Sequence, residues 1–286
     1  MSKQKTIVYQ GEPGANSDTA ARDVYPDYQP VPCATFEDAF AAVSNKEADL
    51  AMIPVENSVA GRVADIHHLM PRSNLNIIAE YFLPINHQLL GVKGAKIEDL
   101  KSVQSHIMAL GQCRNVIRKL GLTPVIGADT AGSARQIAEA GDKSRAAIAS
   151  KLAGEIYGLD LLQENIEDEA HNTTRFIVLS REPDWAPQGN GLTVTTFVFR
   201  VRNVPAALYK ALGGFATNGV NMTKLESYQL GGSFSATQFY ADVEGHPEDR
   251  SVKLALEELA FYSAEMKILG VYPAHEYRIR ASAKQA

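Results

Sequence analysis

The sequence predicts an α/β protein in two parts, a larger one built on a mostly parallel sheet and a smaller βαββαβ sandwich behind it. Three observations predict it. Short apolar strands alternate with amphipathic helices from residue 5 to about residue 179. The texture breaks at residues 181–191, REPDWAPQGNG, which hold two prolines, two glycines and no periodicity. Beyond the break, two helices with the same apolar spacing sit among alternating strands.

Element by element, KTIVYQG reads as a strand ended by glycine, and GEPGANSDTAA as a loop running into a helix. TFEDAFAAVSNKEADLAMIPVENS supplies a helix, a turn at Asn45-Lys46 and a buried strand from Leu50 to Ile53. IIAEYF and LLGVKG are further strands, ALGQCRNVIRKLG a helix, TPVIGA a strand, and AAIASKLAGEIYGLDLL a strand coupled to a helix. Continuous apolar strands between helices belong to sheets covered on both faces, and ligands bind at the carboxyl ends of such strands. After the linker, VTTFVFRV alternates, with Phe197, Phe199 and Val201 on one face. Leu208, Ala211, Leu212, Phe215 and Ala216 mark a helix, as do Val252, Ala255, Leu256, Leu259 and Ala260. MTKLESYQL and FSATQFYADVEG are strands joined by a turn at 230–233, and MKILGVYP closes the set. Such a sandwich leaves one sheet face open, so self-association is expected.

Composition narrows the function. The chain has 286 residues, 45% hydrophobic and 21% charged, enough for two or three real cores. A net charge of −5 with no basic block excludes a nucleic-acid partner. No apolar run reaches membrane-spanning length, and Ile7-Val8-Tyr9 is too short for a signal peptide, so a cytoplasmic home is expected. Cys33 and Cys113 lack metal-site spacing, His67 and His68 are adjacent and would diverge on a helix, and GEPG lacks the lysine of a phosphate loop. No metal or cofactor is expected.

What remains is a set of short polar stretches, each where a strand should end. PVENSVAGRV offers Glu56, Asn57 and Ser58; SHIMALGQC offers Ser105 and His106 at a helix start and Gln112 near its end; DTAGSA offers Asp129 or Thr130 as a helix cap. HNTTRF gathers Asn172, Thr173, Thr174 and Arg175 against Phe176. Each alone is ordinary capping or loop-to-strand punctuation. Four such ends converging could bind a small polyoxygenated anion, through amides and hydroxyls rather than lysines.

These stretches resemble the monofunctional bacterial-type prephenate dehydratases with a C-terminal ACT domain, over roughly residues 5 to 275. The matching pieces are PVENS followed by Gly61, Glu80 with Pro84-Ile85 and His87, SH…AL.QC, AAIAS…YGL and N.TRF. The resemblance implies a two-lobed, periplasmic-binding-protein-like catalytic domain over residues 1–182, its second lobe about 80–175, and a ferredoxin-like ACT domain over 193–275. It implies a carbon–oxygen lyase of phenylalanine biosynthesis that converts prephenate to phenylpyruvate, carbon dioxide and water without a cofactor. Thr174 corresponds to the catalytic threonine, a positioned donor to the leaving hydroxyl. Arg175 is expected to pair with the carboxylate that stays on the substrate. Glu56 either orients donors in the site or caps structure. Asn57, Ser58, Ser105, Gln112, Thr130, Asn172 and Phe176 are the implied substrate-binding residues.

The ACT resemblance implies L-phenylalanine as effector, at Ala207, Leu208, Asn218, Asn221, Met222, Glu226 and Ser227, and a homodimer or homotetramer through these domains. The chain departs from the pattern in three places. Ala15-Asn16-Ser17 follows Gly14 where the family has a threonine, Ala206-Ala207-Leu208-Tyr209 replaces Gly-Ala-Leu-Val, and Glu226-Ser227-Tyr228-Gln229 replaces Glu-Ser-Arg-Pro. The last two put phenylalanine inhibition in doubt. Two other readings stay open, a dehydratase preferring arogenate and a non-catalytic two-lobed binding module.

Overall fold

A computed structural model of the chain describes residues 4–63, 66–169, 171–202, 204–229 and 236–285. The predicted turn at 230–233 lies outside them. In chain order the elements are β1 (Thr6–Gln10), α1 (Asn16–Val24), β2 (Gln29–Cys33), α2 (Phe36–Ser44), β3 (Leu50–Asn57), β4 (Gly61–Arg62), α3 (Ile66–Leu69) and β5 (Asn76–Pro84). Next come β6 (Gln88–Gly91), β7 (Ser102–Ser105), α4 (Ile107–Gln112), α5 (Arg114–Lys119), β8 (Thr123–Ile126), α6 (Thr130–Ala140), β9 (Arg145–Ala149), α7 (Lys151–Tyr157), β10 (Asp160–Gln163) and β11 (Thr173–Ser180). The rest are β12 (Thr193–Val201), α8 (Ala207–Thr217), β13 (Met222–Gln229), β14 (Ala236–Glu244), α9 (Arg250–Tyr262), β15 (Ser263–Pro273) and α10 (Glu276–Gln285).

The chain divides into two compact units, Met1–Val63 with Tyr81–Phe176, and Ala64–Glu80 with Ile177–Ala286. The first unit holds two α/β lobes. In one lobe the strands run β11-β3-β1-β2, with β1 parallel to both neighbours and β4 folded back on β3. In the other they run β10-β6-β9-β7-β8. The second lobe's sheet is covered on both faces, as its apolar strands require. Ala109, Leu110, Cys113 and Ile117 form one core with Val103 and Ile148, while Ala131, Ala134, Ile137 and Ala153 form another with Ala147 and Ala149. Thr35 and Asp38 close a capping box on α2, and Lys46 takes the left-handed conformation at the expected Asn45-Lys46 turn. At the first loop, a Cβ on Gly14 would lie 2.6 Å from Cα of Ala153, so only glycine lets that loop reach α7.

One long helix was expected over ALGQCRNVIRKLG, and the structure has two, α4 and α5. The Asp168 carboxylate accepts from the backbone N–H of Arg114 at 2.9 Å and of Asn115 at 3.1 Å, capping α5 from a distance. Asp168 N–H donates to the Gln112 carbonyl at 2.6 Å, ending α4. The break sets Gln112 at a helix end.

The second unit contains the expected βαββαβ sandwich, strand order β13-β14-β12-β15 with antiparallel pairing throughout. Phe197, Phe199 and Val201 pack with Phe215, Phe239, Val252 and Leu256 under the two helices. The expectation of an open second sheet face is corrected. Thr196, Val198, Tyr240 and Asp242, on the other face, are also buried. Arg278 of α10 bonds Asp242 on that face at 3.3 Å. The unit also takes up the segment 64–80, whose strand β5 runs parallel to β15 with Ile77 opposite Gly270. A Cβ on Gly270 would lie 2.1 Å from the Ile77 carbonyl oxygen, so the pairing depends on glycine there.

Candidate functional site

The first unit brings three of the predicted polar stretches together, joined by a fourth that had not been assigned a role. Asn57, the last residue of β3, sets the polarity of the whole group. Its Oδ1 accepts from the backbone N–H of Val59 at 2.9 Å and of Ala60 at 2.7 Å, so its amide nitrogen must point the other way. That nitrogen donates to Asn172 Oδ1 at 2.7 Å and to Thr174 Oγ1 at 2.9 Å. Asn172 Nδ2 then donates to Gln112 Oε1 at 3.1 Å. His87 Nε2 lies 2.8 Å from the same Gln112 oxygen and so is the donor. The two ends of this chain of bonds, the Thr174 O–H and the Gln112 NH2, are donors left over for a ligand.

Main-chain bonds hold the pieces in place. Ser58 N–H donates to the Thr173 carbonyl and Thr173 N–H to Ser58 Oγ, each at 2.9 Å, while Ser58 Oγ donates to the His171 carbonyl at 2.7 Å. Ile85 N–H donates to the Asn172 carbonyl at 2.8 Å. His87 was not among the expected site residues; its only sequence signal was its place in the family pattern. Its backbone N–H donates to Glu167 Oε2 at 2.8 Å. Burial pushes the imidazole pKa below its ordinary value, against the smaller opposing effects of the Gln112 bond and the Glu167 charge. The network polarity requires a proton on Nε2, and burial favours the neutral form of the ring.

Several expected site residues lie outside this network. Thr174 and Arg175 are consecutive in β11 and leave it on opposite faces. Arg175 is 2% exposed, and its guanidinium donates to Glu56 Oε1 at 3.1 Å, which braces β3 against β11. Glu56 is thereby the partner of Arg175. Phe176 is buried in the core, and Ser105 is buried with its hydroxyl donating to the Ile148 carbonyl at 2.6 Å. Asp129, not Thr130, caps α6, accepting from Gly132 N–H at 2.6 Å, and Thr130 does not join the network.

A cavity of about 880 Å³ opens beside Gln112, lined among others by Val59, Ile107, Met108 and Ile126, with Arg114 and Arg118 also on its wall. Of the network residues, Gln112 lines this largely apolar hollow, whose wall carries two cations. Among the described residues, no group of three or more His, Cys, Asp or Glu side chains could hold a metal, and no helix is long and apolar enough to cross a membrane. Cys33 and Cys113 are both free thiols.

In the second unit the expected effector residues lie at both ends of α8 and along β13. Ala207 and Leu208 open α8, and Asn218 Nδ2 caps its far end on the Gly214 carbonyl at 2.8 Å. Asn221 Nδ2 donates to Glu244 at 2.9 Å, Met222 packs on the core, Glu226 pairs with Lys224 Nζ at 2.6 Å, and Ser227 is exposed. Ala206 takes φ +61°, the left-handed region where the family has glycine, so its methyl strains the entry to α8.

Comparison with known proteins adds four findings. The family model described as prephenate dehydratase matches residues 7–184. A bifunctional N-acyl-homoserine lactone acylase/prephenate dehydratase of Komagataeibacter europaeus is 51% identical over 278 residues, 97% of this chain and 99% of that protein. A chloroplastic arogenate dehydratase/prephenate dehydratase of Arabidopsis thaliana is 41% identical over 93% of this chain and 71% of its own length. Among solved structures, a prephenate dehydratase from Arthrobacter aurescens in complex with L-Phe superposes with a TM-score of 0.87 at 32% identity, covering 94% of this chain and 90% of that one.

Proposed function

The chain belongs to the prephenate dehydratase family, and on that premise we propose that it converts prephenate to phenylpyruvate, carbon dioxide and water. The observation that carries the reading is the oriented Thr174 hydroxyl. Asn57 occupies one lone pair of Oγ1 at 2.9 Å, which directs the O–H away from that amide and leaves it to donate elsewhere. In the reaction the C–CO2 bond breaks, its electron pair enters the ring, and hydroxide leaves from the opposite carbon as water. One proton is taken up per turnover, because a dianion becomes a monoanion plus two neutral products. The Thr174 O–H bonds the departing oxygen and strengthens as negative charge gathers there, while aromatisation drives the step. The Gln112 amide supplies the second donor. Asn57, Asn172, Ser58 and His87 position these two, and the Glu56–Arg175 pair holds the strands that carry them. Arg114 and Arg118 supply positive charge for the carboxylates.

The same proposal includes L-phenylalanine as effector in the ACT domain, residues 193–275, assembly into a homodimer or homotetramer through those domains, and action in the cytoplasm. Support comes from the relative crystallised with L-Phe and from the exposed edge strand β13 with Leu225 at its surface. Incubation with prephenate at neutral pH, following phenylpyruvate by its enol absorbance in alkali, tests the reaction; arogenate in parallel distinguishes the two dehydratase readings. If neither acid is consumed, the dehydratase reading fails.

A second reading is favoured by the apolar wall of the cavity. Val59, Ile107, Met108 and Ile126 form a surface suited to an acyl chain, and the relative from Komagataeibacter europaeus is named an N-acyl-homoserine lactone acylase as well. Release of homoserine lactone from acyl chains of increasing length, assayed on the same preparation, tests it; no release at any length removes it.

A further inference from the structure

We infer that Arg278 is a positioning residue that couples the effector strand β13 to the strand feeding the catalytic network. The inference rests on the reading that phenylalanine acts through the ACT domain.

Arg278 stands in α10, beyond the βαββαβ motif, yet it is the centre of a buried charged cluster in the second unit. Its Nε donates to Glu80 Oε1 at 2.7 Å and one terminal nitrogen to Oε2 at 3.0 Å, a two-pronged pair with side chains 12% and 0% exposed. The same terminal nitrogen reaches Asp242 Oδ2 on β14 at 3.3 Å. The other terminal nitrogen donates to Thr223 Oγ1 on β13 at 3.1 Å, one residue from Met222 and two from Asn221. His275 N–H adds a bond to Glu80 Oε1 at 3.1 Å, and the Thr196 hydroxyl donates to the other Asp242 oxygen at 2.7 Å. A buried guanidinium between two carboxylates contributes little net stability because of the desolvation cost. What its planar fork contributes is one defined geometry.

Glu80 gives that geometry a direction. It lies in β5, and five residues further on Ile85 N–H holds the Asn172 carbonyl, with His87 on Gln112 two residues beyond. At about 3.3 Å per residue, roughly 16 Å of extended chain joins Glu80 to Ile85. The other anchor of β5, Ile77 against Gly270, lies further from the network. A shift of β13 on effector binding therefore pulls Arg278, then Glu80, then the segment that sets Asn172 and Gln112. Sites coupled in this way respond to each other reciprocally in binding.

The test uses the full chain, with prephenate KM and kcat measured without and with saturating L-phenylalanine, and L-phenylalanine affinity measured by calorimetry. The variants are Arg278→Lys, which keeps the charge and loses the fork, and Thr223→Val, which removes one exposed contact and leaves the charged cluster intact. Because a lone buried carboxylate could unfold the unit, the double change Glu80→Gln with Arg278→Met removes both charges together. In the wild-type chain L-phenylalanine should change KM by about fivefold or more. In Arg278→Lys and the double variant that ratio should fall below about twofold, with kcat in the absence of effector and L-phenylalanine affinity both within about threefold of wild type. Thr223→Val should lie between. Variants that keep the wild-type ratio overturn the inference alone. A wild-type chain that binds no L-phenylalanine, or binds it with no effect on KM, overturns the regulatory reading and the inference with it.

Discussion

Replacing Thr174 by valine removes one hydroxyl at nearly constant volume, and the structure separates its effect on stability from its effect on rate. Asn57 Nδ2 loses the N–H bond to Oγ1 and keeps the one to Asn172 Oδ1 at 2.7 Å; because Asn57 is only half-buried, water can take the freed N–H. Thr174 is only half-buried, and losing one such bond costs about 1 kcal/mol or less, a fall in Tm of about 3 °C or less for a chain this long. The rate depends on the same oxygen differently. A positioned donor to developing negative charge is worth about 3 to 4 kcal/mol, so kcat should fall by about a hundred- to a thousandfold. Thr174→Ser keeps the donor and should stay within about tenfold of wild type, a loss of roughly 1.4 kcal/mol or less for a looser rotamer. Thr173→Val is the internal control, since that side chain leaves β11 on the other face. The assay is phenylpyruvate formation, with proton uptake recorded in weak buffer as a second readout of turnover. The reasoning is refuted if Thr174→Val keeps activity within about threefold of wild type, or if Thr173→Val proves as damaging.

Three further expectations follow from the same geometry. Arg175→Met should destabilise the first unit by about 3 kcal/mol and lower activity through kcat, because the guanidinium is buried against Glu56; urea unfolding measures the first, and a pure rise in KM would return Arg175 to the substrate. Burial lowers the His87 pKa in the folded chain, so on acidification the unfolded chain takes up that proton first; stability should fall as pH drops through about 6.5 and level off below the folded-state value. His87→Asn should flatten that part of a plot of Tm against pH, and an unchanged slope would assign the acid sensitivity to other groups. Gly270→Ala should cost about 2 to 3 kcal/mol in chemical denaturation, because its methyl meets the Ile77 carbonyl, and a neutral result would mean that β5 does not depend on that pairing.

Much of this molecule could be read from local pattern alone. The alternation of Phe197, Phe199 and Val201, the repeated helical spacing after it and the break at 181–191 each reflect a period or a breaker within a few residues, so they survive without knowledge of the rest of the chain. The same holds for the capping box at Thr35, and for HNTTRF as an unusual cluster at the start of a strand. Period two along HNTTRFIVLS already places Thr174 and Arg175 on opposite faces.

What tertiary structure decided was which face meets which partner. Asn57 and Thr174 are 117 residues apart, and His87 and Gln112 are 25 apart; no window of sequence holds either pair. Ser105 and Phe176 look like site residues in sequence and are buried, because strand register, not composition, sets whether a polar or aromatic side chain at a strand end points at solvent or at a neighbouring strand. The segment 64–80 belongs with the C-terminal unit because glycine at 270 lets a parallel strand approach, a contact between residues 193 apart. Local propensity sets periods, but the choice of partner is made by backbone geometry and close packing summed over the whole chain, and only the folded molecule contains that sum.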